Sequence, residues 1–386
     1  MIGVCIKYFH ENYGGMLQAY ATVSMLEKRG IEYELIRYEK KRTVISVVKA
    51  LPRLFNGVLL NDKYEAFLKR KGIKQHSEFA RNNAIRIKAF HKFRDEHFTK
   101  LSPIFKGYDE LCKGVRKYSA VITGSDQLWS PAGLPTNFYN LQFVHQEIRK
   151  ISYASSFGVK EIPWYQKRRT AAFLNRIEYI SMRENRGSEI VKELTGRSVP
   201  TILDPVFMFD MKEWEKLIPV KREINDVYIF AYFLGKTVEH RIATQKAAEK
   251  LKCKIVVLRH LDQYVTEDEQ FGDIALYDVG PDRFLNLLRQ ASYICTDSFH
   301  GSCFSILNKK QFVIFNRYEE RKKHSKNSRI DTLCKNLNLE DRRYKSIQDL
   351  AEQLTRKIDY ENVDIKLDKL KKEAECYLNS VFKGVE

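Results

Sequence analysis

Residues 291–307, with the sequence ASYICTDSFHGSCFSIL, join a short apolar run directly to a helical pattern. The apolar run at 293–295 is bounded by polar residues, which predicts a buried strand. Residues 296–298 are Thr, Asp and Ser, whose side-chain oxygens are typical of helix N-caps. Large apolar side chains then recur at helical spacing through residue 307. The stretch therefore predicts a strand that turns sharply into a helix, with His300 and Gly301 at the turn.

The turn at His300 has the features of a small anion site. A glycine at such a turn lets backbone approach a ligand closely, and the N–H groups of a helix start favour negative charge. An imidazole beside that site can transfer a proton near neutral pH. A histidine that only caps the helix is the simpler interpretation. The strand end before it and the basic loop at 316–329 favour a functional one.

Composition limits the class of protein. A chain of 386 residues predicts two or three domains, and 44% hydrophobic with 30% charged residues is typical of a globular protein. No signal peptide or membrane-spanning segment is recognised, and seven scattered cysteines without a CxxC pair predict a cytoplasmic protein with reduced thiols and no zinc site. The net charge of +18 is compatible with nucleic acid, an anionic membrane or an acidic substrate. Nucleic acid is the least favoured, because no nucleic-acid-binding motif is present.

Apolar strand patterns alternate with helical patterns along most of the chain, which predicts an α/β fold. The segment from Val199-Pro200 to Asp204-Pro205 predicts a linker between two α/β domains. The predicted division is residues 1–198, residues 199–360 and a C-terminal helix at 361–386 that is able to pack back on the first domain. The predicted strands lie at 2–7, 32–38, 119–124, 151–158, 177–182, 227–233, 254–259, 274–277, 293–296 and 312–315.

Residues 41–105 interrupt this alternation in the first domain. They are rich in Lys and Arg and predict several helices that project from the domain. The stretch at 44–60 carries large apolar side chains between cations. One interpretation is an interfacial helix on an anionic membrane. The favoured interpretation is an inserted helical hairpin that buries its own apolar face and leaves a basic side in solvent.

Three polar loops follow strands of the first domain. In open α/β sheets, ligands bind beyond the carboxyl ends of the strands, so these loops are expected on one rim. The first contains Ser125, Asp126 and Gln127, and the third contains Arg183 and Glu184, with the loop at 155–158 between them in sequence.

Seven short motifs occur in a fixed order along the chain. Together the set resembles the polysaccharide pyruvyl transferase family, and it covers most of the chain outside 41–105. The motifs are NYGG at 12–15 with LQAY at 17–20, GSDQLW at 124–129, ISYASSFG at 151–158, MRE at 182–184, LDP at 203–205, SFHG at 298–301 and NSRI at 327–330.

The resemblance implies two Rossmann-like domains that face each other across a cleft, similar to GT-B glycosyltransferases, with 41–105 as a helical insert in the first. It implies transfer of a pyruvyl group from phosphoenolpyruvate to sugar hydroxyls of a polysaccharide or lipid-linked glycan precursor, which forms a cyclic ketal. Members often have Arg-Leu before His-Gly, whereas this chain has Ser298 and Phe299. Arg317 or Arg329 is therefore expected to contact the donor phosphate.

Residue roles follow from the resemblance and the chemistry of the donor. His300 is the expected acid–base group. The expected catalytic residues are His300 and Arg183, with Glu184 and Asp126 in reserve. The expected donor-binding residues are Arg183, Ser298, His300, Gly301, Arg317 and Arg329. The expected acceptor-binding residues are Asn12, Gly14, Gly15, Ser125, Asp126 and Gln127. No cofactor and no metal ion are expected.

Other interpretations stay open at this point. Asp126 capping a turn and Glu184 in an ordinary ion pair are purely structural alternatives. A GT-B glycosyltransferase with a nucleotide-sugar donor is the first alternative function, although the chain lacks a Gly-rich nucleotide fingerprint. A non-catalytic glycan-binding protein is the second. The expected partners are phosphoenolpyruvate and a lipid-linked or polymeric sugar, and the expected location is the cytoplasm, with possible peripheral attachment at the inner membrane face.

Overall fold

The computed structural model describes residues 1–41, 57–133, 136–260, 263–317 and 328–384. These residues form two parallel β-sheets with helices on their faces. The strands of the first sheet are β1 (Ile2–Cys5), β2 (Tyr33–Glu39), β3 (Leu101–Lys106), β4 (Ala120–Thr123), β5 (Arg149–Ser155) and β6 (Tyr179–Met182). They lie in the order β3-β2-β1-β4-β5-β6, and every pairing is parallel.

Helices of the first domain pack against the faces of this sheet. Strands β1 and β4 are buried along their full length, as expected for parallel strands with helices on both faces. The helices are α1 (Tyr13–Lys28), α2 (Gly57–Gln75), α3 (Ser77–His97), α4 (Tyr108–Gly114), α5 (Trp164–Arg176) and α6 (Asn185–Thr195).

The second sheet has the order β11-β10-β7-β8-β9, again with parallel pairings. Its strands are β7 (Tyr228–Tyr232), β8 (Lys254–Val257), β9 (Ile274–Ala275), β10 (Tyr293–Thr296) and β11 (Gln311–Ile314). The remaining helices are α7 (Met211–Leu217), α8 (Val238–Leu251), α9 (Pro281–Gln290), α10 (Phe299–Leu307), α11 (Ser328–Leu337), α12 (Leu350–Thr355) and α13 (Tyr360–Phe382). Each strand predicted from the sequence has its counterpart here, and the prediction of two α/β sheets is confirmed.

The prediction for residues 41–105 needs one correction. Helices α2 and α3 confirm its helical character, but residues 101–105 belong to strand β3 rather than to a helix. Strand β3 pairs with β2 at the sheet edge, and the Arg37 amide donates to Ser102 Oγ at 2.9 Å. Pro103 is tolerated because an edge strand leaves one side of its backbone unpaired. Residues 42–56, which include most of the apolar stretch at 44–60, lie outside the described residues.

Helix α3 packs between the two domains instead of projecting away from them. The buried Arg86 guanidinium donates to the carbonyls of Arg259 at 2.7 Å and Leu276 at 2.8 Å, both in the second domain. The Phe90 ring lies 4.6 Å from the ring of Tyr13 in α1. The insert is therefore anchored to both domains, because a buried guanidinium needs acceptors that only the second domain supplies here.

Further contacts join the domains at the start of α1 and at the C-terminal helix. The Tyr13 hydroxyl donates to the Val279 carbonyl at 3.0 Å. Helix α13 begins beside the second sheet and ends on the first domain, where the Tyr377 hydroxyl donates to the Ser152 carbonyl at 2.8 Å. The domain limits at 198/199 and 360/361 remain predictions. None of the helices in the described ranges is long and apolar enough to cross a membrane.

Candidate active site

Asp204 is the centre of a buried polar cluster between the two domains. Its Oδ2 accepts from Arg183 Nη1 at 2.8 Å, lies 2.9 Å from Ser125 Oγ and lies 3.4 Å from His300 Nε2. Its Oδ1 accepts from the Val206 amide at 3.2 Å. From the sequence, Asp204 was predicted only as part of a linker and of a short motif, and its central place in this cluster was missed. The available signal was its place in one of the seven motifs, LDP at 203–205.

Arg183 follows strand β6 and points into this cluster. Its side chain is only 1% exposed, and its Nη2 lies 3.5 Å from Asp126 Oδ1. The guanidinium carbon lies 4.7 Å from the centre of the Phe299 ring, a cation–π contact. Nε has no hydrogen-bond partner among the described residues. Arg183 thus neutralises two carboxylates and keeps one buried donor uncommitted.

His300 comes from the second domain, in the first turn of α10. Its ring is buried against the backbone of α1, where a Cβ on Gly14 would lie 2.4 Å from His300 Nδ1. Only glycine permits this approach, because real Cβ atoms do not come so close to a neighbour. His300 Nε2 faces Asp204 without hydrogen-bond geometry and has no other partner in the described part of the chain. The imidazole therefore marks the point where the two domains meet.

The charges around the cluster shift the pKa values of its carboxyl groups in different directions. Burial alone would raise the pKa of Asp204, but His300 and Arg183 outweigh burial and hold that pKa well below its usual range. Burial likewise opposes ionisation of Asp126, yet Arg183 and Lys7 lower its pKa below the usual value. Both carboxyls are thus ionised at neutral pH.

Glu184 behaves in the opposite way. Burial raises its pKa, and the attraction of Arg183 and Arg329 offsets only part of that effect. Its Oε1 accepts from Ser156 Oγ at 2.9 Å, while Oε2 has no partner within the described residues. Glu184 is therefore the carboxyl of this cluster that most favours a bound proton.

Several predicted ligand contacts act as helix caps in the structure. Ser298 Oγ accepts from the Gly301 amide at 3.2 Å at the start of α10. Asn12 Oδ1 accepts from the Gly15 amide at 2.8 Å at the start of α1. These capping bonds explain the local sequence, and the roles of all four residues in ligand binding remain predictions.

The predicted loop cations lie on two sides of α10. The Arg329 guanidinium carbon lies 5.5 Å from the Phe299 ring centre, so Arg329 and Arg183 contact the same ring. Arg317 lies beside Gly235, whose amide donates to Asp297 Oδ2 at 2.7 Å. Residues 318–327 of the basic loop are outside the described residues. Of these two arginines, Arg329 is therefore the one that lies close to Arg183.

The remaining predicted residues line the rim around Asp126. Ser125 Oγ lies between Asp204 and the Ala154 carbonyl, each at 2.9 Å. Gln127 packs against Gly158, where a Cβ would lie 2.6 Å from its Nε2. The structure thus brings Ser125 and Asp126 to the cluster, whereas Gln127 packs against Gly158 beside it. No group of three or more potential metal ligands occurs among the residues searched, which are those described.

Two narrow pockets lie near the cluster and near the start of α1. A pocket of about 20 Å³ is lined by Arg183, Asp204, Phe299 and Arg329 among others. A second pocket of about 20 Å³ lies toward Asn12, Leu234 and His260. Each has room for roughly one water molecule.

The family comparison decides between the classes of protein left open by the fold. Residues 12–318 match the family model of polysaccharide pyruvyl transferases. The chain belongs to the polysaccharide pyruvyl transferase family. The resemblance drawn from the seven motifs is confirmed, and the family is one of transferases. No curated protein matches the chain at a significant level.

Solved structures show that this pyruvyl transferase family member has a GT-B fold. A protein assigned as a UDP-N-acetylglucosamine 2-epimerase from Listeria monocytogenes is 11% identical, with a TM-score of 0.53, covering 100% of this chain and 96% of its own. The MnaA protein of S. aureus, solved with UDP, is 11% identical, with a TM-score of 0.52, covering 99% of this chain and 96% of its own. At this identity the likeness establishes the fold alone, and the predicted fold class is confirmed.

Proposed function

We propose that this family member transfers the pyruvyl group of phosphoenolpyruvate to two hydroxyls of a sugar, forming a cyclic ketal. The observation that carries the proposal is the meeting of His300 and Arg183 at Asp204, with one residue from each domain. A GT-B cleft with an acid–base group and a guanidinium at its centre suits a small anionic donor and a sugar acceptor on opposite sides.

Arg183 and Arg329 are the proposed partners of the donor. Phosphoenolpyruvate carries a phosphate and a carboxylate, and each is best bound by the planar fork of a guanidinium. The start of α10, at Ser298, adds the positive end of a helix dipole. Because the adjoining pocket holds about 20 Å³, donor entry requires the two domains to move apart.

His300 is the proposed acid–base group. A proton delivered to the methylene carbon of the donor creates an oxocarbenium-like centre at the neighbouring carbon. One sugar hydroxyl loses its proton and bonds to that centre. The second hydroxyl then bonds to the same carbon as the bond to the phosphate oxygen breaks. The proton of the first hydroxyl returns to the His300 imidazole, and the proton of the second leaves with the inorganic phosphate. Asp204 Oδ2 lies 3.4 Å from His300 Nε2 and orients the ring, and Glu184, whose pKa burial raises, is the reserve acid.

The acceptor is proposed to be polymeric or lipid-linked, with the protein attached peripherally to an anionic membrane. Part of α2 supports this proposal, because Leu60, Tyr64 and Phe67 lie at helical spacing and are 46%, 58% and 60% exposed. The wild-type protein should co-sediment with vesicles that contain anionic lipid, and high salt should release it from them. Unchanged binding by the Tyr64→Ser/Phe67→Ser variant would remove this support.

The test of the reaction uses the purified protein with phosphoenolpyruvate and free or lipid-linked oligosaccharides. Phosphate release should accompany a product with the mass of a pyruvyl ketal. His300→Ala should lower turnover about 10²–10⁴-fold while phosphoenolpyruvate still stabilises the protein against heat. His91 on α3, whose side chain is 45% exposed, supplies the control His91→Ala, which should retain activity. Stabilisation by UDP-sugars and not by phosphoenolpyruvate would favour a glycosyltransferase instead.

A further inference from the structure

Helix α5 presents an exposed aromatic pair at its first two positions. Trp164 is 83% exposed, more than any other large apolar side chain in the described part of the chain, and Tyr165 beside it is 38% exposed. Their rings meet edge to face, with 5.8 Å between the centroids. The other two tryptophans, Trp129 and Trp214, are buried. Exposed Trp and Tyr side chains are typical of surfaces that contact a partner or a membrane interface.

The same side of α5 is strongly basic. Lys167, Arg168 and Arg169 are exposed, and α5 contains no acidic residue. Trp164 and Arg168 lie one turn apart, as do Tyr165 and Arg169, so each ring is followed by a guanidinium on the same side of the helix. These five outward residues form the α5 face. The opposite side of the helix packs on the domain through Gln166, Thr170, Phe173 and Leu174.

The cations of the α5 face are not neutralised by the protein. Lys167, Arg168 and Arg169 make no ion pair within the described residues. Residues 158–176 contain five cations and a single acidic residue. On the neighbouring helix α6, the carboxylates at 189 and 193 pair with Arg186 instead, at 2.9 and 2.6 Å. The α5 face therefore keeps a positive charge that attracts an anionic partner.

The α5 face lies on the same rim of the first sheet as the candidate active site. The loop before α5 continues from the carboxyl end of β5. At the start of this loop, Ser156 Oγ donates to Glu184 at 2.9 Å, and near its end the Lys160 carbonyl accepts from Arg186. Trp164 follows Ser156 by eight residues, so their Cα atoms lie at most about 29 Å apart. A glycan held at the α5 face therefore has a short path to the cluster.

The combination of rings and cations favours a lipid bilayer over other anionic partners. Trp and Tyr rings have an apolar body and a polar group, and they favour the interface between lipid tails and water. Lys and Arg beside them are attracted to the phosphates of anionic lipids. A polyanionic glycan would be attracted by the cations, whereas a bilayer also accepts the two exposed rings.

We propose that the α5 face docks this protein on an anionic lipid bilayer, with its two rings in the headgroup region and its three cations against lipid phosphates. This surface is separate from the exposed residues of α2. Docking here brings a lipid-linked acceptor to the rim of the first domain. Only that purpose rests on the proposed function, whereas the docking itself rests on α5.

Tryptophan fluorescence tests the docking directly, because Trp164 is exposed and the other two tryptophans are buried. Vesicles of phosphatidylcholine with phosphatidylglycerol should shift the emission to shorter wavelength, and lipids brominated near the headgroup should quench it. Vesicles of phosphatidylcholine alone should have neither effect. Trp164→Phe should remove the lipid-dependent change while it retains most of the binding in co-sedimentation, since phenylalanine is still apolar.

Charge variants test the basic part of the α5 face. Arg168→Gln/Arg169→Gln should weaken binding to the anionic vesicles about 25-fold, or roughly fivefold for each cation lost. The matched control is Lys369→Gln/Lys372→Gln, which removes the same charge from exposed positions of α13 and should weaken binding far less.

An aromatic variant tests the other part of the α5 face. Trp164→Ser/Tyr165→Ser keeps the charge of the protein and should also weaken binding to the anionic vesicles, because both apolar bodies are lost. The matched control is Ile365→Ser, which removes a 66% exposed apolar side chain from α13 and should leave binding unchanged.

Three outcomes overturn the proposal, namely no binding to anionic vesicles, Trp164 emission that does not respond to lipid, and equal binding by the α5 variants and their α13 controls. Binding to dextran sulfate that depends on the α5 face, without binding to vesicles, would assign the face to a polyanion instead. Phosphate release from phosphoenolpyruvate with a soluble oligosaccharide is measured in parallel. Release without vesicle binding would reject the docking and retain the proposed reaction. Docking through the α5 face without release would retain the surface and reject the reaction.

Discussion

The contact between Gly14 and His300 gives the sharpest prediction about the candidate site. A methyl group at residue 14 would lie 2.4 Å from His300 Nδ1 and 2.6 Å from His300 Cβ and Cγ. Non-bonded carbon atoms prefer about 3.5–4.0 Å, so roughly 1 Å of separation is missing. The imidazole has no easy retreat, because every residue of α10 is buried. Gly14→Ala should therefore displace the ring from Asp204.

The size of the effect follows from two opposing terms. Overpacking a buried site costs about 1–3 kcal/mol. Alanine in place of glycine inside a helix restores at most about 1 kcal/mol, and less in the first turn, where residue 14 lies. The net loss of unfolding free energy should be about 0–3 kcal/mol. A displacement of about 1 Å of the acid–base group should lower turnover about 100-fold, so activity falls far more than stability.

The assay compares Gly14→Ala with Gly15→Ala on the same helix. A Cβ on Gly15 meets Asn12 Oδ1 at 3.4 Å, an ordinary contact, so this control should keep wild-type stability and wild-type His300 ring signals. Urea unfolding reports stability, and the ring signals of His300 in NMR spectra report its position independently of turnover. Wild-type His300 signals and turnover in Gly14→Ala would refute the reasoning. In a His300→Gly background, Gly14→Ala should no longer lower stability, because the clash is removed.

Three further predictions concern the charged residues. Asp204→Asn should cost about 3–5 kcal/mol of unfolding free energy at pH 7, because Arg183 loses a buried partner. Since the folded state lowers the pKa of Asp204, the difference from wild type should be complete above about pH 4 and should shrink as pH falls. A difference in urea unfolding that does not change with pH would contradict this prediction. The folded state raises the pKa of Glu184, so ionisation of this carboxyl costs stability as pH rises above about 4, and Glu184→Gln should remove that cost. A variant that is less stable than wild type at pH 7 would show that the carboxylate is needed. Arg329→Ala should weaken phosphoenolpyruvate binding about tenfold or more, measured by titration calorimetry, whereas Arg317→Ala should weaken it less. If Arg183→Ala, Arg317→Ala and Arg329→Ala all bind phosphoenolpyruvate with wild-type affinity, the donor site lies elsewhere.

Local sequence was sufficient to predict every strand of the two sheets except β3. Apolar runs flanked by polar residues predicted the strands, because strand burial depends on side chains adjacent in sequence. The oxygen of Ser298 likewise predicted the start of α10, since a cap bonds to an amide only three residues away. The same local reading failed at residues 101–105, where pairing with a distant strand, β2, determines the conformation.

Tertiary structure alone revealed how the candidate site is assembled. The sequence placed His300 and Arg183 at strand ends, but Asp204 became visible as their common partner only after two domains and a linker met. Gly14 is explained by a ring 286 positions away in the chain rather than by a turn. Such contacts depend on packing between segments remote in sequence, and periodicity carries no information about them. A cavity of about 640 Å³ between the junction of α2 and α3 and the segment 264–269 has the same origin, because its two walls belong to different domains.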